Sequence, residues 1–230
     1  DKINIATKSA AFKKDKILRD MDTSLKNLGT DYVDIYHLHA RDTPWSIPNE
    51  CIEAILEIKK AGKARYLGFS CHNIASMSKF AIKHKDVFDV VQTTYSFAIG
   101  PKREKYIKQL DEAGIGVIAM KVMKAITGLN MQSLMKQQNA KAEGKEGPLA
   151  GLKWVLKNPA IGTTVPYMRN MREFNMNFRS MAEAYTDEDE KTLFAVNEQI
   201  RPYYCRMCYE CAGQCPNGLP VTDMLRYLSY

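Results

Sequence analysis

Two rhythms of apolar and polar residues take turns along this chain from its first residues. Short runs rich in β-branched and aromatic residues fall at 3–7, 32–39, 64–70, 87–92, 115–120 and 161–165, and each predicts a strand. Between them, apolar residues recur at helical spacing. Ile17, Leu18, Met21, Leu25 and Leu28 share one face of a helix that Gly29 stops. Ile52, Ile55 and Leu56 mark the buried face of the next, with Pro48 near its start and Gly62 past its end. Helices are expected over 74–84 and 102–113. Another, opened by Pro148, carries Leu149, Leu152 and Val155 until Pro159 ends it. Asn170 with Glu173 three residues on reads as a reciprocal capping box. Thr186 with Asp189 starts a further helix with a core face of Leu193, Val196 and Ile200. The stretch from 121 to 147 is rich in Lys, Gln and Gly and keeps neither rhythm.

Strands alternating with helices predict parallel βαβ units with right-handed connections. The strand count fits an open doubly wound sheet or a barrel. No G-x-G-x-x-G follows any strand, which counts against a dinucleotide fold of the Rossmann type. An eight-stranded barrel would need two more strands, expected before Asp1.

Composition narrows the picture modestly. The 230 residues are 45% hydrophobic and 26% charged, ordinary for a globular protein. The net charge of +7 is spread among acidic residues, without a basic run interleaved with aromatics, so no nucleic-acid track is expected. No stretch is apolar enough to span a membrane and no signal peptide is visible. Cys51 and Cys71 have no obvious mates, a usage that suits a reducing compartment. The expected location is cytoplasmic, with twin-arginine export to the periplasm as the alternative.

The densest chemistry lies near the C-terminus, in Cys205-Arg-Met-Cys208-Tyr-Glu-Cys211-Ala-Gly-Gln-Cys215-Pro216. This is the spacing of iron–sulfur ligation, in which four soft thiolates on one compact loop hold a [4Fe-4S] cluster. Zinc takes four thiolates too, but its sites more often come as two separated pairs. Disulfide pairing is the third reading.

A second set of polar residues stands at strand ends, where parallel barrels place their active sites. Lys8 ends the first strand, His39 the second, Ser70 the third and Gln92 the fourth. By two-residue alternation His37 lies on the face of His39, one layer deeper, where it needs a hydrogen-bond partner and reads as structural.

Ile5-Ala-Thr-Lys8, Asp31-Tyr-Val-Asp-Ile-Tyr-His-Leu-His39, Gly62-Lys-Ala-Arg-Tyr-Leu-Gly-Phe-Ser70, Val91-Gln92 and Gly116-Val-Ile-Ala resemble the aldo-keto reductase family, in family order from Lys8 to Asn177. The cysteine tail is similar to that of one bacterial and archaeal branch. The resemblance implies an α/β fold, a TIM (β/α)8 barrel with about six of eight βα units present. Residues 1–200 would be the partial barrel, and 201–230 a small irregular cluster-binding tail.

It also implies an NAD(P)H-dependent oxidoreductase that reduces a small-molecule carbonyl to an alcohol, or the reverse. Lys8 would be the lysine that lowers a tyrosine pKa, and His39 the residue that orients the carbonyl. Ser70 and Gln92 would hold the nicotinamide carboxamide. Met120 stands where many relatives place an aromatic against the nicotinamide. Arg169 or Arg172 would hold a 2′-phosphate, and Asn177 would contact adenine. The competing reading makes the two arginines a solvated helix face. NADP is favoured over NAD.

Three departures stand out. The region that holds the family's catalytic Asp and Tyr, ahead of the strand bearing Lys8, has no match here. Cys71 then His72 follow Ser70, where Asn is usual, and Pro166-Tyr167-Met168 replaces the usual Pro-Lys-Ser. The missing Tyr and Asp favour an alternative in which a non-catalytic barrel carries the cluster for electron transfer, with a redox partner, or for structure. A zinc-stapled binding module is a third reading.

Overall fold

A computed structural model describes residues 3–100, 102–123, 147–200 and 211–227. The chain divides into two compact units. The first comprises Asp1–Thr94, Arg103–Met120 and Pro159–Thr163; the second comprises Tyr95–Lys102, Lys121–Asn158 and Thr164–Tyr230.

Six strands form one sheet: β1 (Ala6–Ser9), β2 (Val33–Leu38), β3 (Ala64–Cys71), β4 (Val90–Thr94), β5 (Gly116–Met120) and β6 (Thr163–Val165). Their spatial order is their sequence order, and β1 through β5 pair in parallel. A doubly wound sheet reverses its strand order at a switch point. No reversal occurs here, so the chain winds in one direction as barrels do.

In the first unit the crossovers are α1 (Lys14–Leu28), α2 (Asn49–Lys60), α3 (Ile74–Lys83) and α4 (Glu104–Glu112). Of the expected face, helix α1 buries Ile17, Met21 and Leu25, while Leu18 is half-buried and Leu28 turns to solvent; the helix ends at Gly29, in the left-handed region at φ 67°. The buried face of α2 differs from expectation. It is Cys51, Ala54, Ile55 and Ile58, while Leu56 turns to solvent, 42% exposed. Apolar residues occupy two faces of this segment, and packing against the sheet selects the one that includes the cysteine. Phe69 of β3 meets Phe88 edge to face, with centroids 5.1 Å apart, and Phe80 of α3 completes the cluster.

Carboxylates pin the N-terminal ends of the strands. Asp34 accepts hydrogen bonds from the Ile5 N–H and the Arg65 guanidinium, each at 2.8 Å. Asp89 accepts from the Leu67 N–H and pairs with Lys59, also at 2.8 Å. These contacts satisfy backbone donors at the end of the sheet remote from the imidazoles.

In the second unit, α5 (Gly147–Leu156), α6 (Met171–Arg179), α7 (Asp187–Ile200) and α8 (Val221–Tyr227) are described. Lys153 of α5 is buried and pairs with Asp189 at 2.7 Å. Asp189 also closes a capping box with Thr186, whose N–H it accepts at 2.8 Å. The Asn170 cap forms as expected and accepts from the Glu173 N–H at 3.0 Å. The Glu173 carboxylate does not return the bond to Asn170; it takes the Arg169 N–H at 2.6 Å. Helix α8 was not anticipated in the tail. No described helix is long and apolar enough to cross a membrane.

Candidate active site

Strand register builds the first unit's site in layers. Lys8, His37, Gly68, Val90 and Gly116 are neighbours across β1 to β5. Two residues further along each strand, on the same face, Ser70, Gln92 and Ile118 form the next layer, which His39 joins just beyond β2. Thr94 and Met120 pair beyond that. All four expected tip residues therefore share one end and one face. None of the four is the last residue of its strand as expected: β1 ends at Ser9, β2 at Leu38, β3 at Cys71 and β4 at Thr94. Lys8 stands one layer below His39, level with His37.

His37 is the surprise of this layer. It is fully buried, yet neither ring nitrogen has a hydrogen-bond partner among the described residues. Burial, and then the Lys8 charge, push its pKa down to about 4, although the nearby Phe69 backbone favours the proton slightly. The expected partner is thus missing. The imidazole fits because Gly68 faces it: a β-carbon there would lie 3.0 Å from His37 Nδ1 and 2.3 Å from the Val90 carbonyl oxygen.

This depressed value predicts a pH dependence of stability. Above pH 6.5 His37 is neutral in both folded and unfolded chains. As pH falls from 6.5 toward 4 the unfolded chain takes a proton that the folded one refuses. About 3 kcal/mol of stability should be lost across that window. Urea melts at successive pH values check it, and His37→Leu should flatten most of the slope.

His39 is exposed at the tip, and its N–H donates to the Ser9 carbonyl at 2.8 Å. Partial burial and then the charges of Lys8, His72 and Arg41 hold its pKa below the ordinary histidine value. Lys8 is also exposed by surface area, but surrounding protein lowers its ammonium pKa by desolvation. Strand register sets Lys8 level with His37, one layer from His39, and its charge is among the causes that lower the His39 pKa. Ser70 and Gln92 are buried, and the Ser70 hydroxyl oxygen accepts the Ala40 N–H at 3.0 Å. That bond leaves the Ser70 proton free to be donated elsewhere.

Four residues absent from the sequence expectation also build this end. Ala40 adopts φ 56°, a left-handed conformation uncommon for alanine, and so turns the chain back onto β3, where the Arg41 N–H reaches the Ser70 carbonyl at 2.7 Å. The Arg41 guanidinium is fully buried, 3.9 Å above the Phe12 ring, and donates through Nη2 to the Ala11 carbonyl. Asp42 accepts from the backbone N–H groups of His72 and Asn73, the latter at 3.2 Å, and meets His72 Nδ1 at 3.2 Å. Arg103 clamps the His72 carbonyl at 2.6 Å and Thr94 Oγ1 at 2.6 Å. A charged residue just past a strand tip was the available signal for Asp42. Arg103 left none, because its reach is tertiary.

In the second unit, Arg169 and Arg172 are exposed beside the α6 N-terminus, and Arg169 forms a forked pair with Glu173, at 2.7 Å from Nη2. Asn177 is buried. Its Nδ2 donates to the Tyr167 carbonyl at 3.3 Å, while its Oδ1 has no partner among the described residues. In unit one, the Ser70 hydroxyl and the Gln92 amide stand side by side in register and offer the kinds of donor and acceptor a carboxamide needs.

Cys205 and Cys208 lie outside the described residues. Cys211 and Cys215 are half-buried free thiols bracketing a turn whose Gly213 has φ 73°. Cys211 Sγ lies 3.3 Å from Thr222 Oγ1. The all-thiolate donor set suits a soft metal centre. Among the described residues no group of three metal-binding side chains converges. Cys51 and Cys71 are buried, and desolvation pushes the Cys71 thiol up to about 12, so it is inert.

Comparison with known proteins agrees with this architecture. Aldo-keto reductase AFTS1 of Alternaria alternata is 32% identical over 107 residues, 45% of this chain and 29% of the relative. Aldo-keto reductase YhdN of Bacillus subtilis is 29% identical over 123 residues, 49% of this chain and 34% of the relative. The uncharacterized oxidoreductase YqkF of the same species is 26% identical over 200 residues, 76% and 64% of the two chains. The chain thus spans about a third of the length of the first curated relatives it matches. The solved aldo-keto reductase AKR11C1 from Bacillus halodurans, in holo form, superposes with a TM-score of 0.64 at 21% identity, over 84% of this chain and 72% of that one, and so shares its fold. The model of the Aldo/keto reductase family matches residues 1–198, and the chain belongs to the aldo/keto reductase family.

Proposed function

We propose that the chain acts as an NAD(P)(H)-dependent oxidoreductase that interconverts a small-molecule aldehyde or ketone with its alcohol. One arrangement carries the reading: Lys8, His39, Ser70 and Gln92 stand on one face, at one end, of four consecutive parallel strands. The nicotinamide, when bound, supplies or takes up the hydride. Ser70 donates its hydroxyl proton to the carboxamide oxygen, and Gln92 meets the same planar group. His39, held neutral near pH 7, offers one N–H to the carbonyl oxygen and orients it. The Lys8 ammonium favours negative charge on that oxygen and acidifies any phenol brought beside it. Met120 borders the ring site.

In the second unit Asn177 Oδ1 takes the adenine amino group. Arg172 and Arg169 serve the phosphate end, with Arg169 exchanging Glu173 for phosphate. This set favours NADP over NAD. The four tail cysteines, Cys205, Cys208, Cys211 and Cys215, hold a [4Fe-4S] cluster that is accessory to the carbonyl chemistry and open to a redox partner. The reading suits a cytoplasmic protein, with twin-arginine export as the alternative.

The test is a titration of the folded, full-length protein with NADPH and NADH, followed by tyrosine and tryptophan fluorescence. Micromolar binding and carbonyl-dependent loss of reduced nicotinamide absorbance are expected. A folded full-length protein that binds neither nucleotide overturns the reading. Iron and acid-labile sulfide should be found at four each per chain. Zinc, or neither element after anaerobic preparation, overturns the cluster assignment alone.

A further inference from the structure

A histidine and an aspartate that the proposed reaction does not use meet on the rim beside His39. Asp42 follows β2 and His72 follows β3, thirty residues apart in sequence. Asp42 Oδ1 accepts the backbone N–H groups of His72 and Asn73, and Oδ2 lies 3.2 Å from His72 Nδ1. Three bonds converge on one carboxylate, and they hold Asp42 ionised with a pKa of about 2 against the opposing effect of burial. An ionised carboxylate only accepts, so Nδ1 carries a proton, and in the neutral ring Nε2 is then the acceptor nitrogen. Free imidazole prefers the other tautomer. The loop that bears the pair is doubly secured, by Arg103 on the His72 carbonyl and by the Arg41 N–H on the Ser70 carbonyl.

We propose that His72, oriented by Asp42, is a positioning residue of this rim: it joins the tip that bears His39 to the tip that bears Ser70. The proposal rests on the reductase reading only for its effect on turnover; the arrangement itself can be read without any nucleotide.

The test uses full-length protein labelled with 15N-histidine. His72 resonances are identified by their loss in His72→Asn, a change that keeps a donor to Asp42. In the native protein at pH 8 the long-range 1H–15N pattern of His72 should show the Nδ1–H tautomer. In Asp42→Asn it should move to the Nε2–H tautomer. His72 in the Nε2–H form in the native protein overturns the proposal. Should the native chain bind nicotinamide, His72→Phe should lower kcat/KM about tenfold and His72→Asn should recover most of that loss. Equal losses in both overturn the positioning role. Absence of nicotinamide binding would reject the reductase reading and leave the tautomer result standing.

Discussion

Gly68→Val abolishes or severely weakens folding of the first unit, and Gly68→Ala costs it on the order of 3 kcal/mol. The reason is spatial. The position has ordinary strand dihedrals, so no conformational privilege of glycine is involved. A β-carbon built there meets the Val90 carbonyl oxygen at 2.3 Å, Val90 Cγ1 at 2.7 Å and His37 Nδ1 at 3.0 Å. The nearest obstacle is backbone of a neighbouring strand in a buried layer, which cannot turn aside as a flexible side chain would. Relief requires β3 and β4 to part where Gly68 and Val90 are in register. Urea denaturation followed by far-UV circular dichroism measures the loss. A Gly68→Ala protein with native midpoint and slope would show that the layer has slack. The double variant Gly68→Ala with His37→Ala should recover only a part, since the Val90 conflict persists.

Replacing His39 with alanine lowers kcat/KM for carbonyl reduction by 10²- to 10³-fold, about 3–4 kcal/mol of transition-state stabilisation. The nucleotide dissociation constant should change little, because the proposed reading gives the nucleotide to Ser70 and Gln92 and the substrate oxygen to His39. Ser70→Ala should do the reverse, weakening nucleotide binding more than it slows the bound complex. Steady-state rates paired with direct nucleotide titration separate the two patterns. Equal effects of both variants on binding would assign His39 to the cofactor and remove it from the reacting carbonyl. Lys8→Met belongs with His39 in this scheme. Its level one layer deeper predicts an effect on rate through the electrostatics of the oxygen, with cofactor binding preserved.

The first-unit site combines exposure with burial in a way that bears on both predictions. His39 stands open at the tip, while His37 and Gly68 beneath it are closed in. Packing variants below therefore test the scaffold, and polar variants above test the chemistry. The acid sensitivity expected from His37 lies between pH 6.5 and 4, above the range in which Asp42 loses its charge. The two titrations can thus be told apart in one pH series.

Much of this protein was legible in the order of its residues. Helical and strand periodicities located every crossover of the first unit, because amphipathic burial is a local pattern. Asn170 was readable as a cap, since its side chain need only reach three residues ahead. The residues at strand tips were readable as one set, because parallel βαβ repetition brings the same end of each strand to the same side.

What the sequence could not supply was register and company. Whether Lys8 stands beside His37 or His39 depends on a one-layer offset between β1 and β2, which backbone pairing decides. The face that α2 buries was settled by the sheet it meets, and Leu56 lost to Cys51 and Ile58. Strand order without a switch point, the orphaned imidazole made possible by Gly68, and the convergence of Asp42, His72 and Arg103 all join residues twenty to sixty apart in the chain. Local propensity carries no term for such distances. They are fixed only when the chain closes its loops and the buried layers permit a single fit.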